Sequence, residues 1–336
     1  MIRPKLAFLF CARVLGLFAL ARFLTRRGVR VLCYHAVWLG EDEFAGDGMF
    51  MKPATFLRRL HTLRRLGYEV VDLDDAVNAL SGRADLGSCP VVITVDDGWY
   101  STFSVMLPEL VRLGMSATLY CDTDQLLRKQ PIPHVMAAHI SKRLDTSSLS
   151  CESRAMLARA ADLSLSFDER LECLRRFTAG HTEDLEYFFR RRAFDYMSPE
   201  ELRVFARSPR MRVELHTHRH TMHDHSKTMI SREIEDNRSA LSSLLHVPGS
   251  RFSHFCYPSG DVDVNDRSIL ESCGVKSATT TQQGIAVFDP GAIHRIPRIL
   301  DGENVSMIEF EAELSGFLYL ARRLIRTSKA VVSCFG

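Results

Sequence analysis

Short apolar runs rich in β-branched residues alternate with amphipathic helical patterns from residue 29 onward. The runs that predict strands are VRVLCYH, YEVVDL, PVVITVDD and SATLYC, followed later in the chain by MRVELH, HFCYP, VKSATTT and HRIPRIL. PVVITVDD is apolar without alternation, as expected of a parallel strand that is buried on both faces. About eight strands separated by helices predict an α/β fold, either a barrel or a doubly wound sheet.

Residues 125–207 interrupt this alternation with helical segments and no strand between them. Ser198, followed by Glu200 and Glu201, predicts a capped start for the last of these helices. We therefore predict a helical insertion within one domain that spans residues 28–312. The insertion is a candidate lid or substrate wall, with plain scaffolding as the alternative. An apolar helix at residues 1–27 and a C-terminal helix and tail at 313–336 flank the domain.

The N-terminal run KLAFLFCARVLGLFALARFL is long enough to cross a bilayer. Arg13 near its middle and Arg22 near its end bring the free energy of insertion close to neutral. No cleavage site of small residues follows, which disfavours a signal peptide. We expect peripheral membrane contact through residues 5–24. A true membrane span and a helix that simply packs on the domain are the alternatives.

Composition narrows the classes of function. Hydrophobic residues make up 46% of the chain and charged residues 25%, which is typical of a globular protein. A formal net charge of +2 and the lack of a basic block interleaved with aromatics argue against nucleic acid as a partner. The nine cysteines contain no CxxC pair, which favours reduced thiols and a location in the cytoplasm or on the cytoplasmic face of a membrane. No GxGxxG or P-loop follows an early strand, which disfavours nucleotide binding.

Candidate chemistry follows three of the predicted strands. Asp96 and Asp97 end PVVITVDD, the histidines of HTHRH follow MRVEL, and the turn YPSG follows HFC. In barrels and in doubly wound sheets, active groups gather at the carboxyl ends of parallel strands. Two adjacent buried carboxylates need a positive charge beside them, which a divalent cation can supply. One aspartate and two histidines form a suitable ligand set for a catalytic zinc.

Each motif alone has a simpler interpretation. Asp-Asp-Gly is also a common turn, and a histidine-rich loop can be solvated or can trap metal adventitiously. His216, His218 and His220 would share one face of a strand, so alternation alone does not select two ligands among them. His223 and His225 are expected in a solvated loop.

ITVDDG, HTHRH and FCYPSG, in that order, resemble the motifs of the NodB-homology polysaccharide deacetylases, carbohydrate esterase family four in the broad sense. The resemblance covers roughly residues 29–310, including Tyr34–His35 and PRILDGE at 297–303. It implies a deformed (β/α) barrel and a metal-dependent hydrolase that removes N-acetyl, or less often O-acetyl, groups from a glycan. The implied subgroup is a divergent bacterial exopolysaccharide type.

The resemblance also implies roles for individual residues. Asp97, His216 and His220 match the metal ligands, with zinc as the expected ion and cobalt or nickel as alternatives. Asp96 matches the general base. The turn after Pro258 would offer a backbone N–H, at Ser259, to the oxyanion.

The sequence departs from the family pattern at two roles. Cys256 stands where typical members have an arginine that braces the base, and Arg298 is the candidate replacement. The late motif that supplies the acid is not clearly present; His294 in AIH is the nearest match, and His35 is another pocket candidate. These departures keep a non-catalytic glycan-binding protein on the same fold as the main alternative, and a histidine-rich metal-handling protein as a remote one.

Overall fold

The structure is a computed structural model that describes residues 4–334 except 47, 49, 145, 146, 148, 223 and 224. Within these residues, seven parallel strands form a closed barrel in the order β1, β4, β5, β6, β7, β8 and β9, and β2 and β3 form a separate parallel pair. The strands are β1 (Arg30–Tyr34), β2 (Ala36–Val37), β3 (Phe50–Met51), β4 (Val91–Asp97), β5 (Ala117–Cys121), β6 (Met211–Leu215), β7 (His254–Cys256), β8 (Ser277–Gln283) and β9 (Ile296–Leu300). The predicted α/β barrel is therefore confirmed, and the doubly wound sheet is excluded because β1 pairs with β9.

Helices surround the barrel and connect its strands. They are α1 (Pro4–Val14), α2 (Leu17–Leu24), α3 (Pro53–Arg65), α4 (Leu73–Leu80), α5 (Leu107–Leu113), α6 (Asp124–Arg128), α7 (Pro133–Arg143), α8 (Cys151–Ala161), α9 (Phe167–Ala179), α10 (Thr182–Arg191), α11 (Pro199–Arg207), α12 (Lys227–Leu245), α13 (Asp266–Ser272), α14 (Met307–Leu314) and α15 (Phe317–Cys334).

Two apolar clusters lie on opposite faces of the barrel strands. Ile93 and Val95 of β4 belong to the large cluster that the surrounding helices share. Val92 belongs to a smaller cluster with Tyr120 of β5. Because side chains alternate along a strand, Asp96 shares the face of Val92 and points into the barrel. All residues of β4 are buried, as predicted for a strand covered on both faces.

The predicted strand YEVVDL is wrong apart from one bridge. Only Val70 pairs, with Val91 of β4, and α4 begins at Leu73. Asp74 and Asp75 lie in the first turn of α4, where negative side chains are stabilised by the helix dipole. This helix-start signal outweighs the β-branched pair that suggested a strand.

Six helices, α6 to α11, lie between β5 and β6, where the sequence predicts an insertion. The end of this segment contacts the loop after β4. The amide of Tyr100 donates to the backbone oxygen of Asp195, and the amide of Met197 donates to that of Gly98, at 2.9 Å in both cases. The helical segment is thereby tied to the residues that follow the aspartate pair.

The apolar N-terminal run is bent rather than continuous. Of the helices that the structure describes, none is by itself long and apolar enough to cross a membrane; α1 and α2 meet that criterion together, but they are bent by 75°. Gly16 lies at the bend with a φ of 77°, a left-handed conformation that glycine adopts without steric cost.

Candidate metal centre and active site

The polar residues that the sequence singles out lie mostly at one end of the barrel. Asp96 and Asp97 are the last two residues of β4, and His216 follows the end of β6. The turn at 258–260 follows β7, and Arg298 lies in β9. Because the barrel strands are parallel, their carboxyl ends open on one face, which is where barrels of this type hold their active sites.

Asp97, His216 and His220 bring three potential ligand atoms together. Oδ1 of Asp97 is 3.3 Å from Nε2 of His216 and 3.4 Å from Nε2 of His220. Among the described residues this buried Oδ1 receives no hydrogen bond, whereas Oδ2 accepts one from Nε1 of Trp99 at 2.9 Å. Nδ1 of His216 lies 2.8 Å from the backbone oxygen of Cys256. That nitrogen therefore carries a proton, which leaves Nε2 as the nitrogen that faces Asp97. Burial lowers the pKa of His216, but its contacts with Cys256 and Asp97 outweigh burial and raise that pKa well above its usual range.

This donor set fits a divalent metal ion. When both Nε2 atoms are unprotonated, their lone pairs and the carboxylate oxygen repel one another, and a divalent cation between them removes that repulsion. Ligand atoms about 2.1 Å from a tetrahedral zinc ion lie about 3.4 Å from each other, which matches the observed 3.3 and 3.4 Å. Burial raises the pKa of Asp97, but its contacts with His216 and His220 outweigh burial and hold that pKa well below its usual range.

The backbone around this centre is strained. Asp97, Thr217, His220 and Ser259 adopt left-handed φ values of 76°, 63°, 53° and 54°. Such angles are uncommon outside glycine and are least favourable for a β-branched residue such as Thr217. Oγ1 of Thr217 accepts a hydrogen bond from the amide of Thr221 at 3.2 Å. This bond closes the loop that returns His220 to Asp97, and such strain is typical of functional sites.

The remaining histidines of this segment have other partners. Nδ1 of His218 lies 2.7 Å from Oγ1 of Thr123. The expectation that His225 is only a solvated loop residue is wrong, because it contacts two carboxylates, those of Asp261 and Asp266, at 3.2 and 3.1 Å. Burial lowers the pKa of His225, but the two carboxylates outweigh burial and raise it. His223 lies outside the described residues.

Asp96 forms a buried ion pair with Arg298 inside the barrel. The two terminal nitrogens of the guanidinium donate to Oδ1 and Oδ2 of Asp96, each at 2.7 Å. Nε of Arg298 donates to the backbone oxygen of Thr280 at 2.9 Å, which fixes the guanidinium. Burial raises the pKa of Asp96, but Arg298 outweighs burial and lowers it to about 2. Asp96 is therefore an ionised, oriented carboxylate beside Asp97.

His35 and two thiols also face Asp96. Nε2 of His35 is 3.8 Å from Oδ2 of Asp96, and a quarter of the His35 side chain is exposed. The thiols of Cys33 and Cys256 each lie 3.6 Å from the same oxygen. Burial raises the pKa of Cys33 well above its usual range. Cys33 is therefore a neutral thiol, which adds no second negative charge beside Asp96.

A tight turn follows β7. The amide of Gly260 donates to the backbone oxygen of Tyr257 at 3.0 Å, so the N–H of Ser259 is not used in closing the turn. Gly260 has a φ of 71°, and a Cβ at this position would lie 1.8 Å from Oγ1 of Thr281. Only glycine fits there, and it keeps the Ser259 amide in its present place.

The family model described as polysaccharide deacetylase matches residues 84–278, more than half of the chain. The chain belongs to the polysaccharide deacetylase family. It is therefore a hydrolase that deacetylates glycans. The residues within the matched range include Asp96, Asp97, His216, His220 and Ser259, whereas Arg298 lies beyond it.

Solved structures share the fold of this polysaccharide deacetylase. The deacetylase PplD of Streptococcus pyogenes, in complex with acetate, is 17% identical with a TM-score of 0.60, over 86% of this chain and 99% of that one. IcaB from Ammonifex degensii is 18% identical with a TM-score of 0.58, over 86% and 97%. A de-N-acetylase from Aggregatibacter actinomycetemcomitans is 13% identical with a TM-score of 0.57, over 85% and 99%. No curated protein matches the sequence.

In this deacetylase, His294 lies away from the site. It precedes β9, and its Nε2 is 2.9 Å from the backbone oxygen of Val275, which precedes β8. Both residues lie at the amino ends of the strands, opposite Asp96. The expectation that His294 supplies the acid is therefore corrected: the AIH segment matches the late motif in its letters but lies at the wrong end of the barrel.

Two residues beside the candidate metal centre were not predicted from the sequence. Asp122 directly follows β5; its amide donates to the backbone oxygen of Asp97 at 3.2 Å, and its Oδ2 accepts from the Tyr196 hydroxyl at 2.9 Å. Burial raises the pKa of Asp122 to about 7, although the nearby His220 opposes that rise. The sequence could have pointed to Asp122, because this aspartate follows the strand SATLYC and so lies at a strand's carboxyl end, as Asp96 does. Nothing in the sequence around Tyr196, at the end of the helical segment, pointed to this site.

Proposed function

We propose that this polysaccharide deacetylase removes N-acetyl groups from a polymeric glycan, with O-acetyl groups as the alternative, and that it uses one divalent metal ion. Asp97, His216 and His220 would hold the ion, with zinc expected and cobalt or nickel as alternatives. The observation that carries the proposal is the position of Asp96. It is ionised and paired with Arg298, and it adjoins Asp97, whose buried Oδ1 faces two imidazole nitrogens.

Asp96 acts as the general base toward the attacking water. Its pKa of about 2 keeps it ionised, but a carboxylate of such low pKa is a weak base. A divalent ion, when bound, polarises the acetyl carbonyl and lowers the pKa of water toward about 7, which offsets that weakness. Arg298 holds the carboxylate in one orientation, so little ordering remains to be done when the substrate binds.

The reaction forms a carbon–oxygen bond and breaks a carbon–nitrogen bond. The oxygen of water adds to the acetyl carbon while Asp96 accepts one of its protons. The carbonyl oxygen, which gains negative charge, accepts a hydrogen bond from the Ser259 amide. A proton then passes to the departing nitrogen, and acetate and the free amine are released. His35 is the proposed proton donor, because its side chain is a quarter exposed and its Nε2 lies 3.8 Å from Asp96.

Two features of the solved neighbours support this choice of substrate. One solved neighbour is named as a de-N-acetylase, which favours an N-acetyl over an O-acetyl group. The three neighbours described above come from bacteria, in line with a bacterial exopolysaccharide as the polymer. The helices between β5 and β6 end against the loop after Asp97, so they are the proposed wall of the substrate groove.

Acetate release from a panel of N-acetylated and O-acetylated oligosaccharides tests the proposal. The protein is loaded in turn with zinc, cobalt and nickel, and bound metal is measured for each variant. We expect Asp96→Asn to lower kcat by about 10²- to 10⁴-fold with metal content unchanged. Asp97→Ala should lose both bound metal and acetate release. Full activity in Asp96→Asn would show that another group is the base.

Two histidine variants test the proton donor. His35→Gln should lower kcat, whereas His294→Gln, a matched change at the other end of the barrel, should leave it near the wild-type value. Equal losses in both variants would contradict the assignment of His35. The alternative function, a non-catalytic glycan-binding protein, predicts polysaccharide binding without acetate release under any of the three metals.

A further inference from the structure

Exposed apolar side chains are concentrated on the two ends of the chain. The described residues include 18 large apolar side chains that are exposed, and ten of them lie on α1, α2, the link between these helices, and α15. We call these ten the terminal apolar surface: Phe8, Phe10, Val14, Leu15, Leu17, Leu20, Phe23, Leu24, Leu324 and Ile325. Apolar patches that are contiguous and exposed mark sites of protein or membrane contact.

The inner faces of these helices are firmly packed. Leu9, Ala12 and Phe18 form a buried cluster with Ala312 of α14. The ring of Phe317 lies 5.3 Å from that of Phe18 between centroids. Since the inner face is fixed on the domain, the outer apolar residues are held outward in a defined arrangement rather than on a fraying end.

The geometry does not suit a membrane span. α1 has 11 residues and α2 has 8, so each is at most about 17 Å long, against about 30 Å for the hydrocarbon core. Lys5 pairs with Glu309 at 2.6 Å, and Arg13 pairs with Glu311 at 3.2 Å. A straightened span would have to break both ion pairs as well as the packed inner face.

The two ends of the chain differ in charge from the rest of the protein. Residues 1–27 and 317–336 contain ten of the 43 basic residues and none of the 41 acidic ones, which leaves 33 basic against 41 acidic residues elsewhere. Three of the ten, Lys5, Arg13 and Arg322, are paired with glutamates of α14. Arg26 and Arg27, next to Phe23, form no ion pair with a described residue. Basic residues at the edge of an apolar face are typical of helices that lie on anionic lipid.

We propose that the terminal apolar surface docks on an anionic lipid bilayer, with α1 and α2 lying in the plane of the interface. Apolar side chains would enter the boundary between headgroups and acyl chains, while Arg26 and Arg27 reach lipid phosphates. A second copy of the chain fits this surface less well, because it would bring two sets of unpaired arginines together. None of the site residues described above belongs to the surface. The backbone oxygen of Arg22 in α2 lies 3.6 Å from the thiol of Cys89, which precedes β4, so α2 lies at the end of the barrel opposite Asp96.

Flotation of the full-length protein with vesicles tests this proposal. One set of vesicles is phosphatidylcholine alone, and in the other about a third of the lipid is phosphatidylglycerol. We expect binding to the anionic vesicles to be at least about tenfold stronger and to weaken with added salt. Equal binding to both sets, or binding to neither, would overturn the proposal.

Matched apolar substitutions assign the binding to the surface. The variant Phe10→Ser/Val14→Ser/Leu15→Ser removes side chains that are 60%, 70% and 74% exposed. Its control, Phe288→Ser/Val264→Ser/Leu163→Ser, removes the same residue types at 63%, 75% and 70% exposure elsewhere. We expect the first to weaken partitioning by at least about tenfold and the control to leave it unchanged. The same loss in both variants would overturn the assignment.

A pair of double arginine variants tests the role of charge in vesicle binding. Arg26→Gln/Arg27→Gln should weaken binding to anionic vesicles by at least about tenfold, whereas Arg175→Gln/Arg176→Gln, the same change in α9, should not.

Two further measurements test how the protein binds. Release of the bound protein by alkaline carbonate supports an in-plane position, and resistance to carbonate would overturn it in favour of a span. A dimer in lipid-free solution that the Phe10 triple variant dissociates would overturn it in favour of a second copy.

Discussion

The catalytic end of the barrel and the terminal apolar surface depart from ordinary burial in opposite directions. At the catalytic end, Asp96, Asp97 and Arg298 are charged and buried. At the terminal apolar surface, Phe10 and Leu15 are apolar and exposed. Buried charge and a large exposed apolar patch are both unfavourable for the isolated chain unless a partner compensates for them. Each region therefore indicates an interaction that folding alone does not explain.

The two regions differ in how far the protein supplies that compensation itself. Arg298 neutralises Asp96 through two hydrogen bonds, and the backbone strain around Asp97 is held by the surrounding barrel. The outer faces of α1 and α2 have no such cover among the described residues. The catalytic end is therefore preorganised by the protein itself, whereas the terminal apolar surface needs an external partner to cover it.

The largest effect on stability is expected from the buried ion pair. Arg298→Met should lower the free energy of unfolding by about 3–5 kcal/mol, because it leaves Asp96 buried without its partner. It should also abolish acetate release, since burial then favours the protonated carboxyl.

The same ion pair predicts how stability depends on pH. In the wild type, the pair stabilises the fold above a pH of about 4. That stabilisation is lost as the pH falls toward 2, because the folded pKa of Asp96 is about 2 and the unfolded value is about 3.9. Urea denaturation across this pH range and an acetate assay measure both effects.

A second buried pair provides the control. Nε of Arg59 donates to Asp301 at 2.8 Å, and both side chains are buried. Arg59→Met should cost a similar free energy of unfolding, but the remaining folded protein should still release acetate. The double variant Asp96→Asn/Arg298→Met should regain stability without activity. Normal acetate release by Arg298→Met would show that Arg298, like Arg59, is needed only for stability.

A smaller effect is expected from the turn that holds the Ser259 amide. Gly260→Ala and Gly67→Ala both place a side chain at a positive φ, 71° and 64°, but only Gly260 faces a clash, with Oγ1 of Thr281 at 1.8 Å. We expect Gly67→Ala to cost about 1 kcal/mol and Gly260→Ala to cost about 1–3 kcal/mol more. Gly260→Ala should also lower kcat because Ser259 shifts. If the two variants were equally stable and Gly260→Ala kept the wild-type kcat, the turn would not need glycine at position 260.

The smallest effect is expected at the terminal apolar surface. Phe10→Ala should change the free energy of unfolding by less than about 0.5 kcal/mol, because the ring contributes little to the packed inner face. Phe18→Ala, on the inner face of α2, should cost about 3 kcal/mol. Thermal unfolding in lipid-free buffer measures both. A large cost for Phe10→Ala would show that this side chain supports the fold and is not held for a partner.

Much of the fold could be predicted from local patterns. The alternation of apolar runs and helices predicted the barrel, and the unbroken apolar run before Asp96 predicted a strand buried on both faces. The YEVVDL segment misled because its β-branched pair precedes a helix start, where Asp74 and Asp75 favour the helix. Periodicity describes a segment by itself, whereas its neighbours decide which element forms.

The candidate site was only partly predictable. The order of motifs pointed to Asp97, His216 and His220, and the structure brings their ligand atoms to within 4.8 Å of one another. The segment RIPRIL offered Arg298 as the partner of Asp96, and the structure pairs the two, whereas the AIH segment wrongly favoured His294. Proximity across the barrel depends on how strands far apart in the chain pair, which a short motif does not encode.

The sequence by itself determined which chemistry this protein can perform and where along the chain its strands end, because residue type and apolar period are local properties. The tertiary structure decided which groups meet. Closure of the barrel placed Arg298 on Asp96, 202 residues away, and the left-handed backbone at Thr217 and His220 selected two histidines from the cluster. The fold likewise turned a single apolar run into a bent pair of helices. Long-range packing decided these outcomes, because only the folded chain brings remote residues within bonding distance.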